Sequence, residues 1–320
     1  MATNVIHPSI VVKGIQGAFQ ESYEQAEIVR DQLAITVPST GRRENYAFLG
    51  GPRGVEQWIG DRRAVDLPDY SFYLDNKKWE DNIRIKEDDL ADDQVGQYPI
   101  QARTMGQQAA EHPDDLLFSL INNGHSATYV SYDGAIFFSA SHVAGENTSQ
   151  DNTLTYTVAH ANTNEPTVLE MQAMVDQGIQ KLSVLKNWAG KYFNKQVNKL
   201  IVVVPPSLKS KFLNAFGAGY TSNLAGTGVS ENIWKTNYNV KIVSDSRVDE
   251  SATSTTSRYV FVFNAGHPIK PFVYQIRQPF RPQTDNVDQF KRGEISWGVD
   301  ARYNVGYGAW WTGCRITVAT

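Results

Sequence analysis

The chain has 320 residues, 41% hydrophobic and 20% charged, with a formal net charge of -4 and one cysteine. This is ordinary globular composition, with enough apolar residues for a sizeable core and enough length for two or three domains. The lone Cys314 excludes an intramolecular disulfide and a cysteine-built zinc site. A mildly acidic chain has no global attraction for phosphate, so it is not expected to read nucleic acid directly. No apolar run approaches the roughly 20 residues of a membrane helix. The opening MATNVIHPSIVVKG lacks a basic start followed by an apolar block, so no secretory leader is expected.

In residues 1–47 one amphipathic helix is predicted. Phe19, Tyr23, Ala26, Val29 and Leu33 recur at three- and four-residue spacing and share a face. One helix cannot bury its own stripe, so it must lie against something else. From about Val55 to Lys86 the pattern reads as two strands joined by a turn at Pro68-Asp69. Ile83 and Ile85 alternate with Asn82, Arg84 and Lys86. A two-stranded ribbon is marginal by itself. Trp58, Phe72, Tyr73 and Trp79 give it apolar surface without evident local cover, and Asp61 and Arg62 lie beside them. These six are the predicted inter-subunit contacts, the aromatics as anchors and the charges as ion pairs.

Next comes an acidic run, Glu87, Asp88, Asp89, Asp92 and Asp93. A two-metal site needs carboxylates converging from several elements. Acids this close together mostly diverge on a helix, and no histidine lies near to complete a shell. The run is therefore read as the capped start of a helix at Asp88 or Asp89. The alternative is a carboxylate-metal hydrolase using Glu87, Asp89, Asp92 and Asp93. The helix is expected to kink or restart at Pro99, to restart with Pro113 in a first turn, and to stop at Gly124. A hairpin with its turn at Asp133-Gly134 should follow.

From about Thr153 to Ala265 helix and strand alternate. Thr167 and Glu170 form a capping box, KLIVVV reads as a buried strand, and Pro205-Pro206 opens a helix that Gly217 ends. NVKIVS and RYVFVFNA are further strands, giving a compact α/β unit. The remainder is strand-rich and aromatic. The six histidines are scattered without metal-ligand spacing, no serine sits in a nucleophile elbow, and AFGAGYTSNLAGTGVS lacks a P-loop lysine. Neither catalytic residue, metal nor cofactor is predicted. Cys314, beside Trp310 and Trp311, is read as a small buried residue.

Four stretches resemble the major head subunit of Mu-like tailed phages: FLGGPRGVEQWIGDR (Phe48 to Arg62), DNKKWEDNIRIKEDDLADDQVGQY (Asp75 to Tyr98), AEHPDDLLFSLINNG (Ala110 to Gly124) and YDGAIFFSASH (Tyr132 to His142). The likeness is specific in order and spacing from Phe48 to His142 and looser beyond. It implies the α+β tailed-phage (Hong Kong 97-like) capsid fold. The implied domains are an N-terminal arm over 1–47, an extended loop over 48–87, a peripheral domain with a spine helix over 88–152, an axial domain over 153–265, and returning peripheral strands over 266–320. It also implies a non-enzymatic shell protein that assembles into hexamers and pentamers around double-stranded DNA, which it touches non-specifically. A separate scaffolding protein, a maturation protease, a portal and a decoration protein would be its partners. Its place would be the virion capsid, after synthesis in the bacterial cytoplasm. The shell of a cellular nanocompartment of the same fold is the alternative.

Overall fold

The computed structural model describes residues 8–51, 54–55, 57, 72–86, 96–160, 162–163, 165–222, 228–249, 257–285 and 292–320. Two sheets organise them. After its first residue, Lys199–Val204 is buried throughout, as a strand covered on both faces must be. It lies inside a five-stranded sheet ordered Asn239–Ser244, Lys199–Val204, Ser257–Asn264, Gly313–Ala319, Thr153–Thr157. The two outer pairs are parallel and the two inner pairs antiparallel.

Helix Val168–Ser183 starts at the predicted capping box, with Thr167 accepting from the Glu170 amide and Glu170 accepting from the Thr167 amide. It packs so closely on the sheet that a Cβ on Gly178 would come within 3.2 Å of Ile316. Helix Pro206–Gly217 lies against it. Val262 and Ile316 meet this helical layer. Side chains alternate along a strand, so Phe261 and Phe263 point the other way. There they meet Phe138, with ring centroids 5.2 and 6.4 Å away.

The second sheet is four-stranded: Ala34–Pro38, Phe272–Asp285, Glu294–Tyr307, Lys77–Lys86. One face of it packs on the N-terminal and spine helices. The sequence reading put everything after 266 into one returning layer, and the structure corrects this. Phe272–Asp285 and Glu294–Tyr307 form the centre of the four-stranded sheet, but the chain then turns at Trp310–Thr312 and Gly313–Ala319 enters the five-stranded sheet. Cys314, Ile316 and Val318 are fully buried there, which drives the crossing. The predicted Asp133-Gly134 turn exists, with Gly134 at φ 80°, but its hairpin shrinks to one bridge between Val130 and Ile136.

The spine helix also differs from expectation. Gln97–Asn123 is one continuous helix of 27 residues. Pro99 falls in the first turn, where its missing N–H breaks no bond, so no kink is needed there. Pro113 lies inside the helix. A proline there frees carbonyls one turn back, and the neighbouring Ala110 carbonyl accepts from the Arg30 guanidinium at 2.8 Å. Asp114 then accepts the Val29 and Arg30 amides at 2.6 and 3.1 Å. This ties the one-turn helix Arg30–Leu33 to the spine. Burial raises the Asp114 carboxyl above its usual range, against those hydrogen bonds. The acidic run and the Pro68-Asp69 turn lie outside the described residues.

The N-terminal helix spans Pro8–Gln25 and stops before Ala26, so the periodicity from Phe19 to Leu33 crosses a break. Its cover comes from the same chain. Ile15, Ala18 and Phe19 share a core with Ala102, Met105, Ala109, Trp297 and Val299. Burying Ile15 and Phe19 contributes about 1.5–3 kcal/mol each. Gly106 permits the approach: a Cβ there would stand 2.4 Å from the Phe19 carbonyl oxygen.

Candidate functional site

Residues 46–72, here the excursion, begin and end side by side. Arg43–Asn45 pairs antiparallel with Tyr73–Asp75, and the Tyr46 amide donates to the Phe72 carbonyl at 2.9 Å. Side chains explain why the chain closes here. One Glu44 oxygen accepts from the Ser39 hydroxyl and the Thr40 and Gly41 amides at 2.8, 2.8 and 2.9 Å. Those donors hold the carboxyl below its usual range. Asn76 donates to Ser39 and to the Gly41 carbonyl, and Arg43 grips Asp75 through two bonds of 2.8 and 2.7 Å.

Of the six predicted contact residues, Trp58, Asp61 and Arg62 lie outside the described residues. Tyr73 is half exposed, with the Arg43 guanidinium 5.6 Å above its ring. Phe72 is half-buried against the main core. Trp79 is half-buried too, and it has the local cover that the sequence did not reveal. Its indole N–H donates to the Tyr303 carbonyl at 3.0 Å, and its ring meets His112 edge-on at 4.4 Å. The reason is that Lys77–Lys86 belongs to the four-stranded sheet, paired with residues 294–303. Burial holds His112 below the ordinary imidazole value and pushes the Tyr303 phenol up. A neutral ring and an intact phenol suit the 2.6 Å bond between Tyr303 Oη and His112 Nδ1.

A second convergence point escaped sequence reasoning. Trp310 and Trp311 are fully buried and hold three loops at once. Trp310 stacks flat on His142, with centroids 3.9 Å apart. His142 is itself buried, with Nδ1 2.6 Å from Asp133 and Nε2 3.2 Å from the Phe137 carbonyl. Trp311 stacks on Phe193 at 4.2 Å, and its indole N–H donates to the Leu49 carbonyl at 3.3 Å. Cys314, two strand positions on from Thr312, is buried as expected, which pushes its thiol up to about 12. Asp133 and His142 stand nine residues apart in sequence, a spacing that marks no known site, so only the fold could pair them.

In the α/β unit, Tyr220–Ser222 and Val229–Glu231 form a short antiparallel ribbon. Tyr220, Val229 and nearby Ile233 are 73, 79 and 62% exposed. Solitary exposed apolar residues need no explanation, but several on one short stretch of chain suit contact with another protein. The unit is fastened to the spine helix by Arg247, which pairs with Asp115 at 2.6 Å and Asp245 at 2.8 Å. Among the described residues, no three His, Cys, Asp or Glu side chains converge to hold a metal ion. No helix among them is long and apolar enough to cross a membrane.

The family model described as "Mu-like prophage major head subunit gpT" matches residues 9–169 and 231–316. The chain is 32% identical over 134 residues to the Mu-like prophage FluMu major head subunit of Haemophilus influenzae, covering 42% of this chain and 43% of that protein. It is 33% identical over 124 residues to the major capsid protein of Escherichia phage Mu, covering 39% and 40%. These matches thus span less than half the length of either curated relative. The chain also resembles, at 21% identity and a TM-score of 0.54, a subunit in the procapsid of bacteriophage JBD30, covering 97% of this chain and 75% of that one. That likeness establishes a capsid fold, and the matched segments include all four stretches singled out in the sequence. The chain belongs to the Mu-like prophage major head subunit family, a structural family and not an enzymatic one.

Proposed function

We propose that this chain is the shell-forming subunit of a phage or prophage head, assembling into hexamers and pentamers around double-stranded DNA. Family membership supports the reading. The observation that carries it is exposed apolar surface in two places: Tyr73, where the excursion ends, and Tyr220, Val229 and Ile233 in the α/β unit. Closed rings form when one patch meets a different patch on the next copy. These two places provide two such patches without opening either core.

In this reading, residues 48–87 are the extended loop that crosses a neighbour. Residues 88–152 and 266–307 form the peripheral domain, and 153–265 with the last strand form the axial domain, whose tip faces a symmetry axis. Residues 1–47 are the arm, which begins by docking on its own spine. Phe72, Tyr73 and Trp79 contact the neighbour through their exposed edges, together with Trp58, Asp61 and Arg62. A scaffolding protein, a maturation protease, a portal and a decoration protein act on the shell, which forms in the host cytoplasm and ends in the virion. Electron microscopy and sedimentation of the purified protein, alone and with a co-expressed scaffold, should give rings, shells or tubes. A monomer that persists under both conditions at high concentration overturns the proposal. Shells that contain enzyme cargo and no DNA would reassign it to a nanocompartment.

A further inference from the structure

The geometry points to Trp188, Lys191 and Trp311 as a clamp that fixes the backbone at Leu49, Gly51 and Val55, so that a neighbouring copy meets this stretch in one orientation. This rests on the proposed shell function. Three side-chain donors from one side of the molecule reach three carbonyls along one short segment. Trp311 donates to Leu49 at 3.3 Å, Trp188 to Gly51 at 3.1 Å and Lys191 to Val55 at 2.9 Å. Because every acceptor is backbone, the clamp sets the path of the segment without depending on its side chains.

Two glycines supply what the path does require. Gly51 and Gly54 have φ of 73° and 92°, the left-handed region that other residues avoid. A Cβ on Gly51 would stand 3.1 Å from the Phe193 ring, and one on Gly54 would stand 3.0 Å from the Lys191 stem. Segment and clamp therefore fit face to face. Val55 is 99% exposed, so Lys191 holds a stretch of backbone whose side chain faces solvent.

The clamp stands on a braced post. Residues 185–193 form a tight loop in which the Asn187 side chain accepts the Ala189 and Lys191 amides at 3.0 and 2.9 Å, around Gly190 at φ 76°. The neighbouring loop grips it from the side. Gln150 both donates to the Lys186 carbonyl and accepts the Lys186 amide, and Asn147 donates to the Asn187 carbonyl. Gly145 sits so tightly that a Cβ would meet the Trp188 carbonyl at 2.9 Å. Trp188, Lys191 and Phe193 fall between 169 and 231, the stretch that the family model leaves unmatched, whereas Trp311 and the three acceptors lie in the matched part.

The test uses the complete chain with Lys191→Met, which keeps the aliphatic stem and removes the ammonium, and separately with Trp188→Phe. Hydrogen exchange of peptides covering residues 46–57 in the unassembled subunit should speed up about five- to tenfold in each, as expected for one lost hydrogen bond. Lys191→Arg should restore protection. The same variants should give fewer closed shells and more aberrant particles at unchanged subunit stability, an outcome that a merely structural role would not produce. Unchanged exchange, or normal shells despite faster exchange, overturns the clamp while leaving the shell function standing. Failure of the unsubstituted protein to assemble instead removes the shell reading, and the exchange result still decides whether the segment is clamped.

Discussion

Lys199–Val204 buries five successive residues, whereas Phe272–Asp285 buries its first four and then runs increasingly into solvent. The two sheets therefore play different parts. The five-stranded sheet has helices on one face and Phe138 on the other, so its core is complete within the chain. Among the described residues, the four-stranded sheet has helical cover on one face only, and its long strands outrun that cover. A protein that must be stable before assembly and sticky during it can divide the tasks in this way. One layer supplies folding free energy, and the other supplies surface.

If that division holds, substitutions in the two layers should fail differently. Phe263→Ala removes a fully buried ring facing Phe138 in the five-stranded sheet. It should cost about 3–5 kcal/mol, read by chemical denaturation, with little soluble protein left to assemble. A loss below about 1 kcal/mol would show that the layer does not carry stability. Trp79→Ala should be intermediate, costing about 2–3 kcal/mol, because a half-buried ring and one hydrogen bond to Tyr303 go together. Tyr73→Ala, at a half-exposed position, should change stability by about 0.5 kcal/mol or less yet reduce shell yield. Equal effects of Tyr73→Ala and Trp79→Ala on stability would erase the distinction between contact and core.

Gly106→Ala tests the cover itself. Alanine favours a helix by up to about 1 kcal/mol over glycine. The added carbon, however, would stand 2.4 Å from the Phe19 carbonyl, a backbone atom that cannot rotate away. Overpacking of this kind costs about 1–3 kcal/mol, so the steric term should win. Limited proteolysis should then cut residues 8–25 faster while the five-stranded sheet stays protected. Slower cutting would mean that the two helices have room to separate.

Much of this division was legible in the residues. The α/β unit announces itself through Thr167 and Glu170, the run KLIVVV and the helix opened by Pro206, because those signals are local and need no knowledge of partners. The four-stranded layer was harder to see. Lys77–Lys86 alternates like a strand, but its partner lies more than 200 residues away, and nothing in the ribbon says so. Trp79 thus read as uncovered, and the helix of residues 8–25 read as an arm in need of a neighbour. Pro99 suggested a break because the helix is expected to start well before it, at Asp88 or Asp89, whereas it starts at Gln97. Pro113 did so because the partner of the neighbouring Ala110 carbonyl is distant Arg30. Non-local pairing is what a single sequence conceals, and the hub at Trp310, Trp311 and His142 was hidden for that reason.

The smallest expected effect concerns the root of the excursion, where the two layers' division is finest. Glu44 is held below its ordinary carboxyl value by the Gly41 amide, the Ser39 hydroxyl and the Thr40 amide, and Asp75 by its bond to Arg43. Asp75 is exposed and Glu44 only half-buried, so water screens the gain. For a carboxyl whose folded value is depressed, the stabilisation is complete above the unfolded value, about 4 for these residues, and is lost as pH falls through the folded value. Hydrogen exchange at residues 39–46 and 72–76 should therefore accelerate, relative to the five-stranded sheet, as pH drops below about 4, and be unaffected between 5 and 8. Glu44→Gln should remove part of that dependence while keeping an acceptor for the Thr40 and Gly41 amides. A root that loosens first near neutral pH would mean that its closure depends on other groups, and that the excursion is not anchored by these two carboxylates.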